Sequence, residues 1–135
     1  MIVIGEPVCQ WVADRTTTTY YPGSGQGIGI EKNGEIVCGV LFEGYNGQSI
    51  QIHVALDPKG RMTREWLFVL FDYAFRQLKV NKIIGVVDST NEAALRFDKH
   101  IGFVEEAVIA GAGKHGDMHI LTMTRKQCRF LKDSK

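Results

Sequence analysis

The segment that most restricts the fold is a short apolar run followed at once by a bounded helix: Lys82 to Val87 (KIIGVV), then Asn91 to Phe103 (NEAALRFDKHIGF). The first run is rich in β-branched residues and too short for a helix of its own, so it reads as a buried strand. Ser89-Thr90-Asn91-Glu92 fits a capping box, in which the Ser89 oxygen and the Glu92 carboxylate would each satisfy an exposed backbone N–H. Gly102 supplies a left-handed stop after the last helical turn. A strand that feeds directly into a helix needs a sheet for that helix to cover.

The rest of the chain is consistent with such a sheet. Residues 5–25 show little apolar periodicity and include the turn-forming run Thr16 to Gly27, so an irregular or mobile segment is expected there. Three strand-like runs follow, GIGIEK, EIVCGVLFEG and QSIQIHVALDP, separated by Asn33-Gly34 and Tyr45-Asn46-Gly47. Asn-Gly tolerates the positive φ angles of tight hairpins, which predicts three antiparallel strands in meander order. After Pro58 the period changes. Leu67, Leu70, Ala74 and Leu78 share one helical face and Glu65, Asp72, Arg76 and Lys79 the other, which predicts an amphipathic helix over Thr63 to Leu78. It would cross from the strand ending at Leu56 to a parallel strand at Lys82. Two further strands, Phe103 to Ala110 and Met118 to Thr124, flank the loop GAGKHGD, and a short basic tail runs to Lys135.

At 135 residues this is one domain, residues 1–135. Sixteen basic residues against fifteen acidic ones give a net charge of +1, which supplies no general field for nucleic acid or an anionic membrane. Cys9, Cys38 and Cys128 are odd in number and widely spaced, which signals neither a disulfide framework nor zinc and suits a reducing compartment. The start MIVIGEPVCQW lacks the basic and apolar regions of a signal peptide, and no stretch approaches the roughly twenty apolar residues of a membrane span. A soluble cytoplasmic protein is expected.

Several motifs carry no chemistry. Gly23 to Gly29 alternates glycine with other residues, but no frame gives GxGxxG, so it reads as a flexible lead-in to a strand. Gly113-Lys114 is followed by His115 rather than Ser or Thr and is no phosphate loop. His53, His115 and His119 match no ligand spacing, so no metal is expected. The segment Leu56 to Glu65 is different, because backbone N–H groups at a helix start together with Lys59, Arg61 and Arg64 suit an anion. The same residues also describe an ordinary solvated helix start.

Asparagine at the start of the second helix, Ala94 three residues on, Arg96 five on, and Ile101-Gly102-Phe103 at its close resemble the last strand and helix of the cofactor half of the GNAT N-acetyltransferase superfamily, in its RimJ/RimL-like branch. The resemblance covers roughly residues 26–127, and the chain's brevity is similar to that of small phage-encoded members. It implies an α+β fold: a mixed, mostly antiparallel splayed sheet with helices on both faces. It further implies transfer of acetyl from acetyl-CoA, as co-substrate, to a primary amine of a small molecule or of a protein N-terminus or lysine, by direct attack. Neither nucleic acid nor membrane enters as a partner, and a homodimer is left open.

In that frame the cofactor is held by backbone groups at Val54, Ala55 and Leu56, by the turn Lys59, Gly60, Arg61, Met62, Thr63 and Arg64, and by the Asn91 amide, whose residue-level alternative is a capping role. Met62 and Arg64 stand where the family has glycines, which shifts the holding of pyrophosphate toward side-chain charge. Asp98 occupies the position of the family's proton-donating tyrosine, and an aspartate donates at neutral pH only if its pKa is raised. His53 faces away from Ile52 and Val54 on its strand, near the implied acetyl position, and is the candidate general base. Glu31, Glu43 and Asp117 are further carboxylates that the fold could bring to the cleft. The competing reading is a GNAT-like scaffold without catalysis that serves as a binding or assembly protein.

Overall fold

The computed structural model describes residues 1–16 and 18–131. A seven-stranded sheet has the order β1-β2-β3-β4-β5-β7-β6, with β1 Ile2–Ile4, β2 Gly25–Lys32, β3 Glu35–Glu43, β4 Ser49–Leu56, β5 Lys82–Asp88, β6 Val104–Ile109 and β7 Met118–Thr124. Every neighbouring pair is antiparallel except β4 and β5. The β2–β3 turn follows the Asn-Gly chemistry, with φ of 54° at Asn33 and 82° at Gly34. At the next turn Asn46 Oδ1 accepts from the backbone N–H groups of Gln48 and Ser49, both at 2.8 Å.

Three helices cover the sheet from both sides. On one face lie α2 (Arg64–Asp72) and α3 (Glu92–Ile101), and the core there joins Ile28, Val40, Phe42, Ile50 and Ile83 to Trp66, Leu70, Phe71 and Ile101. Thr63 caps α2 by accepting from Trp66 N at 3.0 Å, and the buried Trp66 indole donates to Ile28 O at 3.2 Å. The helix expected through Leu78 is α-helical only to Asp72. It widens to a π-helical stretch, Tyr73–Gln77, with Leu78 N donating to Tyr73 O, and Ala74 and Phe75 stay buried through the change. Gly102 takes φ 116°, the left-handed stop expected for α3. The basic tail lies outside the described residues from 132 onward, as does position 17 of the threonine run.

The segment expected to be irregular contains the third helix, α1 (Glu6–Arg15), preceded by β1. Gly5 at φ 122° ends β1, Pro7 stands in the first turn where a missing N–H is harmless, and the Gly5 carbonyl receives Val8 and Cys9. The helix buries Val8, Cys9 and Val12 against Leu41 and Ala55 on the face opposite α2. Its seat is made of glycine. A Cβ at Gly27 would stand 2.8 Å from Val8 Cβ and 2.9 Å from Cys9 N, and one at Gly39 would stand 2.8 Å from Val12 Cγ2. From Gly25 on the alternating glycines are therefore not a flexible lead-in but β2 itself, stripped of side chains at Gly27 and Gly29 where α1 is received.

Gly27→Ala is expected to lower stability by about 1–3 kcal/mol, because the added methyl meets backbone at Gly5 and Cys9 that cannot turn aside. An unchanged urea midpoint would show that α1 lifts from the sheet at no cost.

Candidate active site

β4 and β5 are paired only from Ser49↔Lys82 to Ile52↔Gly85. Beyond that point β4 stays with β3 as far as Leu56, while β5 stays with β7 as far as Asp88. The two strands therefore part, and the backbone of Val54 to Leu56 faces an open seam. On the α3 side the seam widens into a groove of about 380 Å³ walled by Val54, Ala55, Leu56, Asn91, Ala94 and Phe97, with Arg15 at its edge. On the α1 side it opens into a pocket of about 510 Å³ walled by Glu43, His53, Val86, Asp88, Lys114 and Met118. Between them a waist of about 20 Å³ is bounded by Ile52, His53, Val86, Asn91 and Asp98, room for about one water.

Each end of the waist carries a titratable group. His53 and Glu43 lie on neighbouring strands on the α1 face, and His53 Nε2 is 2.7 Å from Glu43 Oε2. With Nε2–H donated to Glu43, the neutral ring keeps its lone pair on Nδ1. Asp98 lies on α3, against Gly85 of β5, where its Oδ2 stands 3.0 Å from the place a Cβ would occupy. Its carboxyl is 3% exposed, makes no hydrogen bond or ion pair with the described residues, and is pushed up by burial to about 7. The condition for an aspartate to donate a proton near neutrality is thus met by desolvation.

Asn91 is the N-cap of α3, its Oδ1 accepting from Ala94 N at 3.2 Å. The expected capping box is not formed, because Ser89 is engaged elsewhere: its Oγ accepts from Asp117 N at 2.9 Å. Asn91 also lines both groove and waist, and capping leaves its amide N–H groups uncommitted.

Asp88 receives the His115 N–H at 2.8 Å and both the N–H and hydroxyl of Thr90, and these bonds hold its carboxyl well below the usual range. They tie the β6–β7 loop to the end of β5. Gly113 and Gly116 press on Asp88 and Ser89 so closely that a Cβ would collide with either, and Asp117 Oδ1 accepts from Gly111 N at 2.9 Å. The loop so built brings Lys114 to the pocket wall.

The expected phosphate turn is arranged differently. Gly60 N donates to Asp57 O at 2.7 Å, and Gly60 packs onto Val37 O. Lys59 pairs with Glu35 at 3.6 Å, and Arg64 lies over the Phe130 ring at 5.7 Å. Met62 packs against the α2 core, and Arg61 is exposed. Leu56, Asp57 and Pro58 line the groove, whereas 59–64 do not. Glu31 lies at the far end of β2, beside Met1. Sequence reasoning missed Arg15, since α1 was not foreseen, and missed Asp88 and Lys114, whose roles depend on contacts 27 residues apart along the chain.

No protein-family model and no curated protein matches the sequence. Solved structures do match. Mutant forms of the spermidine/spermine N-acetyltransferase SpeG from Vibrio cholerae share 16% identity over 100% of this chain and 99% of theirs, at a TM-score of 0.73. The N-acetyltransferase PseH from Campylobacter jejuni, in complex with acetyl coenzyme A, shares 18% over 76% and 70%, at 0.59. A GNAT-family acetyltransferase from Bacillus anthracis shares 16% over 76% and 67%, at 0.62. The architecture is that of the GNAT acetyltransferases, an α+β fold with a mixed, mostly antiparallel sheet and helices on both faces. No helix among the described residues is long and apolar enough to cross a membrane.

A carboxyl whose folded pKa lies above its unfolded value favours the folded state most when protonated. The contribution of Asp98 is therefore present in acid and is lost as the pH rises from the unfolded range through about 7. Asp98→Asn, which stays neutral, is expected to exceed the parent in stability at high pH by on the order of 4 kcal/mol, with the gap closing toward about pH 4. Urea midpoints across that range check this; a gap independent of pH would mean that Asp98 is ionised in the fold.

Proposed function

We propose that the chain is an acyl-CoA-dependent N-acetyltransferase that moves acetyl from acetyl-CoA to a primary amine by direct attack. The observation that carries this reading is the continuous split in the sheet, with the buried Asp98 on the groove side of the waist and the His53–Glu43 pair on the pocket side. Acetyl-CoA enters from the groove, its pantetheine arm along the unpaired backbone of Val54, Ala55 and Leu56, with the Asn91 amide as a donor. The turn Lys59, Gly60, Arg61, Met62, Thr63 and Arg64 follows Pro58 at the groove's edge and is assigned to the nucleotide end. The acceptor amine enters from the α1 face. Solved structures of the same fold include a spermidine acetyltransferase and an enzyme bound to acetyl coenzyme A, which supports both the co-substrate and an amine acceptor.

In the reaction the amine nitrogen attacks the thioester carbonyl and the C–N bond forms as the C–S bond breaks. His53 takes the proton released by the amine, and Glu43 holds the ring and stabilises the imidazolium. Asp98 gives its proton to the departing thiolate, so CoA leaves as the thiol. The next cycle needs Asp98 to be reprotonated, by solvent or from His53. We assign the protein to the RimJ/RimL-like branch on Asn91, Arg96 and Ile101-Gly102-Phe103, and to the cytoplasm, where buried Cys9, Cys38 and Cys128 remain thiols.

Calorimetric titration with acetyl-CoA and thiol release from a panel of amines test the proposal. Binding and amine-dependent thiol release are expected; no heat with acetyl-CoA would sink it in favour of a scaffold. His53→Gln should reduce kcat by about a hundredfold or more with cofactor binding kept. Because protonated Asp98 is the active form, kcat should fall as pH rises through about 7, and this limb should be absent in Asp98→Asn. Asn91→Ser keeps a capping oxygen and removes the amide donor, so CoA binding should weaken by about 1–2 kcal/mol while the unfolding midpoint holds. Parent-like CoA affinity would leave Asn91 a cap alone.

A further inference from the structure

We propose that Arg15, the last residue of α1, is the cation that holds the phosphate arm of CoA in the groove. This rests on the acetyl-transfer reading, and four observations lead to it. Arg15 is the one basic residue in the groove's wall among the described residues. Its guanidinium lies 4.1 Å over the Trp11 ring, and one nitrogen donates to Trp11 O at 3.1 Å. It stands at the C-terminal end of α1, where the helix dipole favours a positive charge. The same groove is lined by Asp57, whose Oδ1 accepts from Lys59 N at 2.8 Å, so without Arg15 the groove's charged side chain among the described residues would be a negative one.

The geometry suits phosphate oxygens in particular. A guanidinium held over an indole ring and tethered through one N–H loses rotamer freedom before any ligand arrives. Its remaining N–H groups lie in the plane of the fork and match paired phosphate oxygens. Lys59 and Arg64 cannot serve in the same way from their observed positions, one facing Glu35 and the other Phe130. The chain thus replaces a glycine-lined backbone cradle with a pre-oriented side chain delivered from the opposite face of the sheet.

Dissociation constants for CoA and for pantetheine, which has the same thiol arm and no phosphate, decide the matter in the parent, Arg15→Gln, Arg15→Lys and Lys32→Ala. Arg15→Gln is expected to weaken CoA by about tenfold or more and to flatten its dependence on salt. It should leave pantetheine and the melting temperature unchanged. Arg15→Lys should recover part of the affinity, and Lys32→Ala, an exposed cation at the far end of β2, should stay within about twofold of the parent. CoA binding by Arg15→Gln at parental strength overturns the assignment, as does an equal loss of pantetheine, which would make Arg15 a wall rather than a phosphate ligand. A parent that binds neither molecule overturns the acetyl-transfer reading and this one with it.

Discussion

A parallel strand pair that separates after four residue pairs leaves backbone donors and acceptors on each side without a ladder partner, and such groups must find water or a ligand. The parting of β4 from β5 is fixed from outside, since β3 holds one strand through Leu56 and β7 holds the other through Asp88. Neither can bend across to close the seam without giving up its own antiparallel ladder. The groove, the waist and the pocket are three parts of that one opening. The groups assigned to the chemistry reach it from three parts of the fold: His53 and Glu43 from the sheet, Asp98 and its N-cap neighbour Asn91 from α3, and Arg15 from α1.

The opening also decides how similar side chains behave. Asp88 and Asp98 are ten residues apart in sequence, and both are buried. Asp88 sits where the backbone turns and receives N–H groups from Thr90 and His115, so its charge is solvated by the protein. Asp98 lies against the bare face of Gly85 and receives no such donor among the described residues, so its charge is not. The first carboxylate acts as an anchor for a loop, and the second remains a weak acid at neutral pH.

Local chemistry was legible where the partner lies nearby in sequence. Asn33-Gly34 announced its hairpin, Gly102 its helix stop, and the β-branched run Lys82 to Val87 its buried strand. The alternation along β4 puts His53 on the face away from Ile52, as its pairing with Leu41 has it. Legibility failed where a distant partner intervened. Ser89 had the pattern of a cap, but Asp117, 28 residues on, claims its hydroxyl, and the capping role passes to Asn91. The cations of Lys59 to Arg64 were legible as a basic helix start, but not their partners, Glu35 beside Lys59 and the Phe130 ring beneath Arg64. α1 escaped notice because its buried positions, Val8, Cys9, Val12 and Ala13, span less than two turns before the threonine run begins, and its best signal was Gly5 ahead of the helix with Pro7 in its first turn. The carboxyl at 98 was legible as an unusual residue in its place, while its neutrality depended on burial that no local pattern encodes.

The bare surface of Gly27, Gly29 and Gly39 reaches further than the packing of one helix. Three absent methyl groups let α1 lie nearly on the backbone of β2 and β3, and the height of a helix above a sheet sets where its last residue ends up. Arg15, Thr16 and Thr18 reach the split only because the helix lies so low. The glycines thus act as spacers of zero thickness for a roof whose edge is some distance away. Thickening any of them would tilt the overhang and widen the mouth beneath it, altering ligand capture at a site that none of the three touches.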